Sequence, residues 1–185
     1  MPASLPPPMS ADEILHLDFP GKSTELVRGQ LIVREPPSTR HGGISARMTY
    51  LIAKHVFAER LGEVFGQHTG FHIASNPDTV RAPDVAFVHR DRSALIPDRG
   101  FARLAPDLVV EIISPDDRPG ELLAKVGEWL DGGSRIVWVI DPVRREARIH
   151  RDDGSVAIVR ADEELDGEKV VPGFRCGLSE VLAKE

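Results

Sequence analysis

Leu108-Val109-Val110-Glu111-Ile112-Ile113-Ser114-Pro115 is the stretch on which the reading of this chain turns. It is apolar at both odd and even positions, the pattern of a strand covered on both faces, yet a carboxylate stands inside it. Burying an ionised carboxylate costs on the order of several kcal/mol unless a cation or metal ion compensates it. Glu111 therefore needs a partner. Downstream, Arg118 to Asp131 has the periodicity of an amphipathic helix stopped by Gly132-Gly133. Ile136-Val137-Trp138-Val139-Ile140 is a second strand apolar on both faces. These elements predict one α/β domain with a mixed sheet.

Upstream, Asp84 opens the apolar run Val85-Ala86-Phe87-Val88. Two acids on neighbouring strands can converge on one point. On the helix after Glu111, at about 100° per residue, Leu122, Leu123, Val126, Trp129 and Leu130 form the apolar stripe. Lys125 falls on its edge beside Trp129, where its amine can reach back toward the sheet. Two acids and a lysine are what metal-assisted phosphodiester hydrolysis requires. Carboxylates without thiolates suit Mg2+ (or Mn2+), the ion polarises the phosphoryl group and lowers the pKa of water, and the lysine orients or deprotonates that water and offsets phosphate charge.

The remainder of the chain frames these residues. Residues 1–9 are Pro-rich and read as an extended or disordered tail, and Ser10 with Glu13 marks the start of a short helix. Glu25 to Val33 reads as a hairpin turning near Arg28-Gly29. His41 to Leu61 is a long helix carrying Ile44, Met48, Leu51, Ile52 and Val56 inward. Short strands are expected over Glu63–Phe65, Phe71–Ala74, Ala147–His150 and Val156–Val159. His89 to Leu104 is a polar, Arg-bearing excursion with a short helix, and the C-terminus holds a Pro172-Gly173 turn and one short helix. The expected division is a flexible N-terminal tail with a short helix over 1–20 and a single domain over 21–185.

Composition excludes several classes of function. The 185 residues are 41% hydrophobic and 28% charged, with net charge -6. That charge argues against coating nucleic acid by bulk electrostatics, though it leaves room for a local basic groove. The single cysteine, Cys176, excludes a disulfide framework and speaks against a cysteine zinc site. No apolar run reaches the ~20 residues of a membrane helix, and the N-terminus lacks the pattern of a secretory signal, so a cytoplasmic location is expected. Neither a Gly-x-Ser-x-Gly elbow nor a phosphate-cradling glycine loop is present, which disfavours serine nucleophiles and nucleotide cofactors.

In their order, Ala82-Pro83-Asp84-Val85-Ala86-Phe87-Val88, Leu108 to Pro115, Lys125 with Trp129-Leu130 and Gly133, and Val137-Trp138-Val139-Ile140-Asp141-Pro142 resemble a known family. It is the bacterial "putative restriction endonuclease" family of the PD-(D/E)XK nuclease superfamily, and the resemblance covers roughly residues 20 to 175. The resemblance implies a restriction-endonuclease-like core, α/β (α+β), with a mixed central sheet flanked by helices. Asp84 then matches the Asp of the Pro-Asp motif and Glu111 the second acid. Ile113 stands where the superfamily usually has Lys, and Lys125 looks like its migrated replacement. Glu121 matches an acidic position that could hold that lysine, Trp129 a position where Tyr is common, Glu25 an N-terminal acid and possible extra metal or water ligand, and His41 a histidine near a helix start.

The expected function is a divalent-metal-dependent endonuclease cutting DNA, with the cation on Asp84, Glu111 and the main-chain carbonyl of Ile112. Cutting both strands commonly takes two active sites, so a homodimer is the expected assembly. The alternative is a catalytically silent nuclease-like scaffold that binds nucleic acid or protein. His55 reads as a hydrogen-bonded core residue, and His68 and His72 lack a third zinc ligand. Asp116-Asp117 reads as a turn and a second-choice rim acid. The Arg90 to Arg103 segment reads as a solvated loop, and is the best local candidate for a DNA-contacting patch.

Overall fold

A computed structural model describes residues 7–115 and 117–183. The readings that fall on residues 1–6 and on Asp116 lie outside the described residues. Strand β7 (Leu108–Ile112) is buried at every position because each of its faces has a cover. Leu108, Val110 and Ile112 pack with Ile44, Met48, Ile52 and Val56 of helix α2 (Thr39–Ala58). Val109, of opposite parity, packs with Val126 and Trp129 of helix α3 (Pro119–Asp131). A strand alternates its side chains, so Glu111 shares the α3 side with Val109. The fold thus aims one charged residue at one particular helix.

Strand β7 pairs in parallel with β8 (Ile136–Asp141), and α3 makes the connection between them. All other pairings of the main sheet are antiparallel. With β3 (Gly62–Phe65), β6 (Val85–His89), β9 (Glu146–Arg151) and β10 (Val156–Arg160), the spatial order is β10-β9-β8-β7-β6-β3. This is the mixed central sheet, flanked by helices, that the sequence predicts. Pro119 opens α3, where its missing N–H costs nothing. The helix closes at Gly132 and Gly133, the latter at φ +108°, a conformation that favours glycine.

A second sheet is built from β1 (Ser23–Val27), β2 (Gln30–Arg34), β4 (Phe71–Ala74) and β5 (Thr79–Arg81) in the order β2-β1-β5-β4. The chain leaves β5 of this sheet at Arg81 and enters β6 of the main sheet at Val85. Ala82-Pro83-Asp84 makes the transfer, and Pro83 has no N–H to continue a ladder. That transfer brings Glu25 of β1 close to the end of β7. Helix α1 (Ala11–Ile14) carries the expected capping box from Ser10 to Glu13. Its Ala11 and Ile14 are packed on Leu26 and Val80 of the small sheet.

Two features depart from expectation. Leu123, assigned to the α3 stripe, is 63% exposed. It lies about 100° round the helix from Leu122, which packs against the sheet residues Val109, Val137 and Val139, and so faces outward. A two-stranded ribbon, β11 (Glu164–Asp166) with β12 (Arg175–Gly177), stands ahead of the C-terminal helix α4 (Leu178–Leu182). Strands of three residues carry too short a period to read. The Arg-bearing excursion holds the short helix expected of it, a 3-10 helix over Arg90–Leu95, and Arg92 is tied to buried Asp107 at 3.0 Å.

Candidate active site

Asp84 sits immediately before β6, and its main-chain N–H donates to the Val110 carbonyl at 3.1 Å. This registers it against β7 two residues short of Ile112. Its Oδ2 accepts the Ile112 N–H at 2.7 Å. The carboxylate therefore serves as the next rung of the ladder, and its position follows from strand pairing rather than from side-chain chance. Glu111, one residue earlier on β7, is 5% exposed.

Helix α3 provides Glu111 with its partners. Lys125 and Trp129 are four residues apart and so share a helical face. Lys125 Nζ donates to Glu111 Oε2 at 2.9 Å and Trp129 Nε1 to Glu111 Oε1 at 2.8 Å. Lys125 also meets Glu25 Oε1 at 3.1 Å and the Ala82 carbonyl at 3.2 Å. Three acceptors thus meet the three protons of the ammonium. The sequence reading that Glu121 holds Lys125 is corrected by these contacts. Glu121 is exposed and reaches Arg118 at 3.5 Å, while Glu25 and Glu111 hold the lysine. The i, i+4 spacing of Glu121 and Lys125 lost out because a lysine reaching a buried carboxylate must turn toward the sheet.

Glu25, anticipated as an extra metal or water ligand, lines the cleft and is held by the backbone and by Arg81. Its Oε1 accepts the Ala82 N–H at 3.0 Å and its Oε2 pairs with Arg81 Nη1 at 2.9 Å. Arg81, itself buried, also pairs with Glu128 at 2.6 Å. Neither Arg81 nor Glu128 was legible as a site residue, since a charge beside a motif or on a helix flank ordinarily faces water.

Charge balance around these groups is uneven. Burial pushes the Glu111 carboxyl up, Lys125 pulls it back, and the charges of Asp84 and Glu25 add to the rise, leaving it at about 7. Burial also opposes the charge on Lys125, but Glu111, Glu25 and Asp84 more than offset it and push its pKa up. For Glu25, burial is outweighed by Lys125 and Arg81, and its carboxyl falls from the ordinary 4.5 to about 2. A depressed folded-state pKa contributes stability above 4.5 that is lost as pH falls toward 2. Urea midpoints should drop between pH 5 and pH 2 by on the order of 3 kcal/mol equivalent, and Glu25→Gln should flatten that decline. An unaltered acid slope in the variant would contradict the assignment.

His41 enters from the first turn of α2, where Ser38 caps its N–H at 3.3 Å. Its Nε2 lies 3.0 Å from the Ile112 carbonyl oxygen and 3.2 Å from Asp84 Oδ2. Burial lowers its pKa, but the hydrogen bond and charge of Asp84 outweigh this and the net direction is up. Gln67, in the loop after β3, contacts Asp84 Oδ1 at 3.1 Å. Nothing in the local sequence distinguishes it. A cleft of about 440 Å³ opens onto Asp84, Glu111, Lys125, His41 and Gln67. Arg34 stands at its mouth, 3.8 Å from Glu25 and 4.0 Å from Asp117.

Two of the other histidines singled out in the sequence, His55 and His72, stay apart from this centre. His55 bonds the Pro172 carbonyl at 2.9 Å. His72 pairs with Asp78 at 3.2 Å, whereas His68, exposed and at φ +69°, is among the residues that line the cleft. Among the described residues no three His, Cys, Asp or Glu side chains are already gathered as a metal cage.

A mixed sheet flanked by helices, with two acids and a lysine gathered where its central strand ends, defines the restriction-endonuclease-like class of protein. The sequence matches the Uma2 family, described as "Putative restriction endonuclease", over residues 11–180, and the chain belongs to that family. Its fold is similar to a crystal structure described as a "putative nuclease belonging to DUF820" from Anabaena variabilis ATCC 29413. That likeness has 20% identity and a TM-score of 0.79, covering 95% of this chain and 98% of that one. No curated protein matches.

Proposed function

We propose that this protein is a divalent-metal-dependent endonuclease that hydrolyses DNA phosphodiester bonds in the cytoplasm. The observation that carries the reading is the convergence of Asp84, Glu111 and Lys125, from three separate elements, at one open cleft. The donor set suits Mg2+ or Mn2+, since Asp84, Glu111 and the Ile112 carbonyl all offer oxygen. Electrostatics favour the same group. Burial and the charges of Asp84 and Glu25 push the Glu111 carboxyl up despite the Lys125 ammonium beside it, and a divalent cation would offset that crowding of negative charge.

When bound, such a cation polarises the phosphoryl group and lowers the pKa of water to make a nucleophile. The chain's own residues do the rest. Asp84 and Glu111 hold the positive charge in place, and the Ile112 carbonyl adds a neutral donor. Lys125, with three acceptors around its ammonium and its pKa pushed up, remains charged. Of its two anticipated roles, orienting water and removing its proton, this favours the first. A charged amine at the floor of the cleft also offsets the negative charge that develops on the phosphate. One chain offers one such centre, and a homodimer would supply the second that duplex cleavage commonly takes.

A silent scaffold is the second reading, favoured by the closed ion pairs of Lys125 with Glu111 and Glu25. Supercoiled plasmid decides between them. Nicking or linearisation in Mg2+ that stops with EDTA is expected. Intact plasmid in both Mg2+ and Mn2+, across several DNA forms, would favour the scaffold.

A further inference from the structure

Gln67 is half-buried in the loop after β3, and its amide touches two groups of the site at once. Its Nε2 lies 3.1 Å from Asp84 Oδ1 and 3.2 Å from His41 Nδ1. An ionised carboxylate only accepts hydrogen bonds, so the amide must turn its NH2 toward Asp84. The second hydrogen of that NH2 then faces His41 Nδ1, which has to accept it. A neutral imidazole carries one ring proton, which this arrangement places on Nε2. From there it points at the Ile112 carbonyl oxygen, 3.0 Å away, and at Asp84 Oδ2, 3.2 Å away.

One amide therefore bridges two groups of the site. Asp84 is clamped from both sides, Oδ2 by the Ile112 N–H at 2.7 Å and Oδ1 by Gln67. The His41 tautomer is set at Nε2, where both neighbours can only accept, and Gln67 supplies the donor that the bare Nδ1 then needs. Swapping the amide ends would put its oxygen against a carboxylate, so the arrangement has no equivalent alternative.

We propose that Gln67 is a positioning residue, which fixes the Asp84 carboxylate for cation binding through an amide shared with His41 Nδ1. The cation-binding part rests on the metal-dependent reading above, whereas the shared amide contact stands on hydrogen bonding alone. Partners that orient metal ligands from behind typically cost on the order of 10-fold to 100-fold in affinity when lost.

The test uses the full chain with Gln67→Ala and Gln67→Met, the latter keeping the side chain's length without a donor. In cation-free protein, 15N spectra of the His41 ring should keep the Nε2–H tautomer throughout, while the Nδ1 signal shifts in both variants as the Gln67 donor is lost. Calorimetric titration with Mn2+ alone should show the Kd raised roughly 10-fold in both. An Nδ1 signal that stays at its wild-type position in both variants would overturn the proposal. Should the wild type bind no Mn2+ at all, the metal-dependent reading falls, and the ring spectra still decide the role of Gln67 independently.

Discussion

Asp84→Asn is expected to leave the protein folded and reduce Mg2+-dependent DNA cleavage by roughly a thousandfold, the upper range for losing one preorganised electrostatic contact. The substitution preserves shape, and the remaining carbonyl oxygen can still accept the Ile112 N–H that Asp84 Oδ2 accepts at 2.7 Å. What disappears is a negative charge at the place where the cation is to be held. Removing that charge also lifts one of the influences that push the Glu111 carboxyl up, so the pH dependence of stability near neutrality should weaken. Plasmid nicking measured beside a thermal melt separates the chemistry from the fold. Wild-type nicking by a folded Asp84→Asn protein would contradict the mechanism.

Lys125→Met should have the largest effect on stability. Methionine can fill the channel along α3, but it leaves Glu111 and Glu25 buried and facing each other without the ammonium that both contact. Breaking a buried pair by removing one partner costs about 3–5 kcal/mol, far more than the pair contributes against an apolar substitute. For a chain of this size that is a fall in Tm of roughly 10 °C. Adding Glu111→Gln to Lys125→Met removes the stranded charge and should recover part of the loss. A Lys125→Met protein that melts with the wild type would show that the two carboxylates do not depend on the lysine. Cleavage should be lost in both proteins.

The sheet's centre was legible in the sequence because burial on two faces leaves a strong trace. Leu108–Ile112 and Ile136–Ile140 could hardly be anything but strands covered by helices. Glu111 stood out for the same reason, as a charge where packing would put none. Lys125 was legible from helical spacing, since four residues separate it from Trp129 and both must face the strand that carries Glu111. The partners of that lysine were not legible. Local spacing pointed to Glu121, whereas the contact with Glu25 depends on how a second sheet is laid against the first. No periodicity encodes that placement. Trp129 was noticed as a substitution within the family pattern, but its indole donor to Glu111 needed coordinates. Gln67 and Arg81 were missed altogether, one in an unpatterned loop and the other at the last residue of a three-residue strand. Polar contacts of this kind arise from tertiary approach, which leaves little imprint on a single chain's pattern.

Crystals soaked in Mn2+ and measured at its absorption edge test the central claim most directly. The account predicts an anomalous peak contacted by Asp84, Glu111 and the Ile112 carbonyl, with the Lys125 ammonium alongside. No peak at saturating Mn2+, with the Lys125 contacts to Glu111 and Glu25 unchanged, would contradict it.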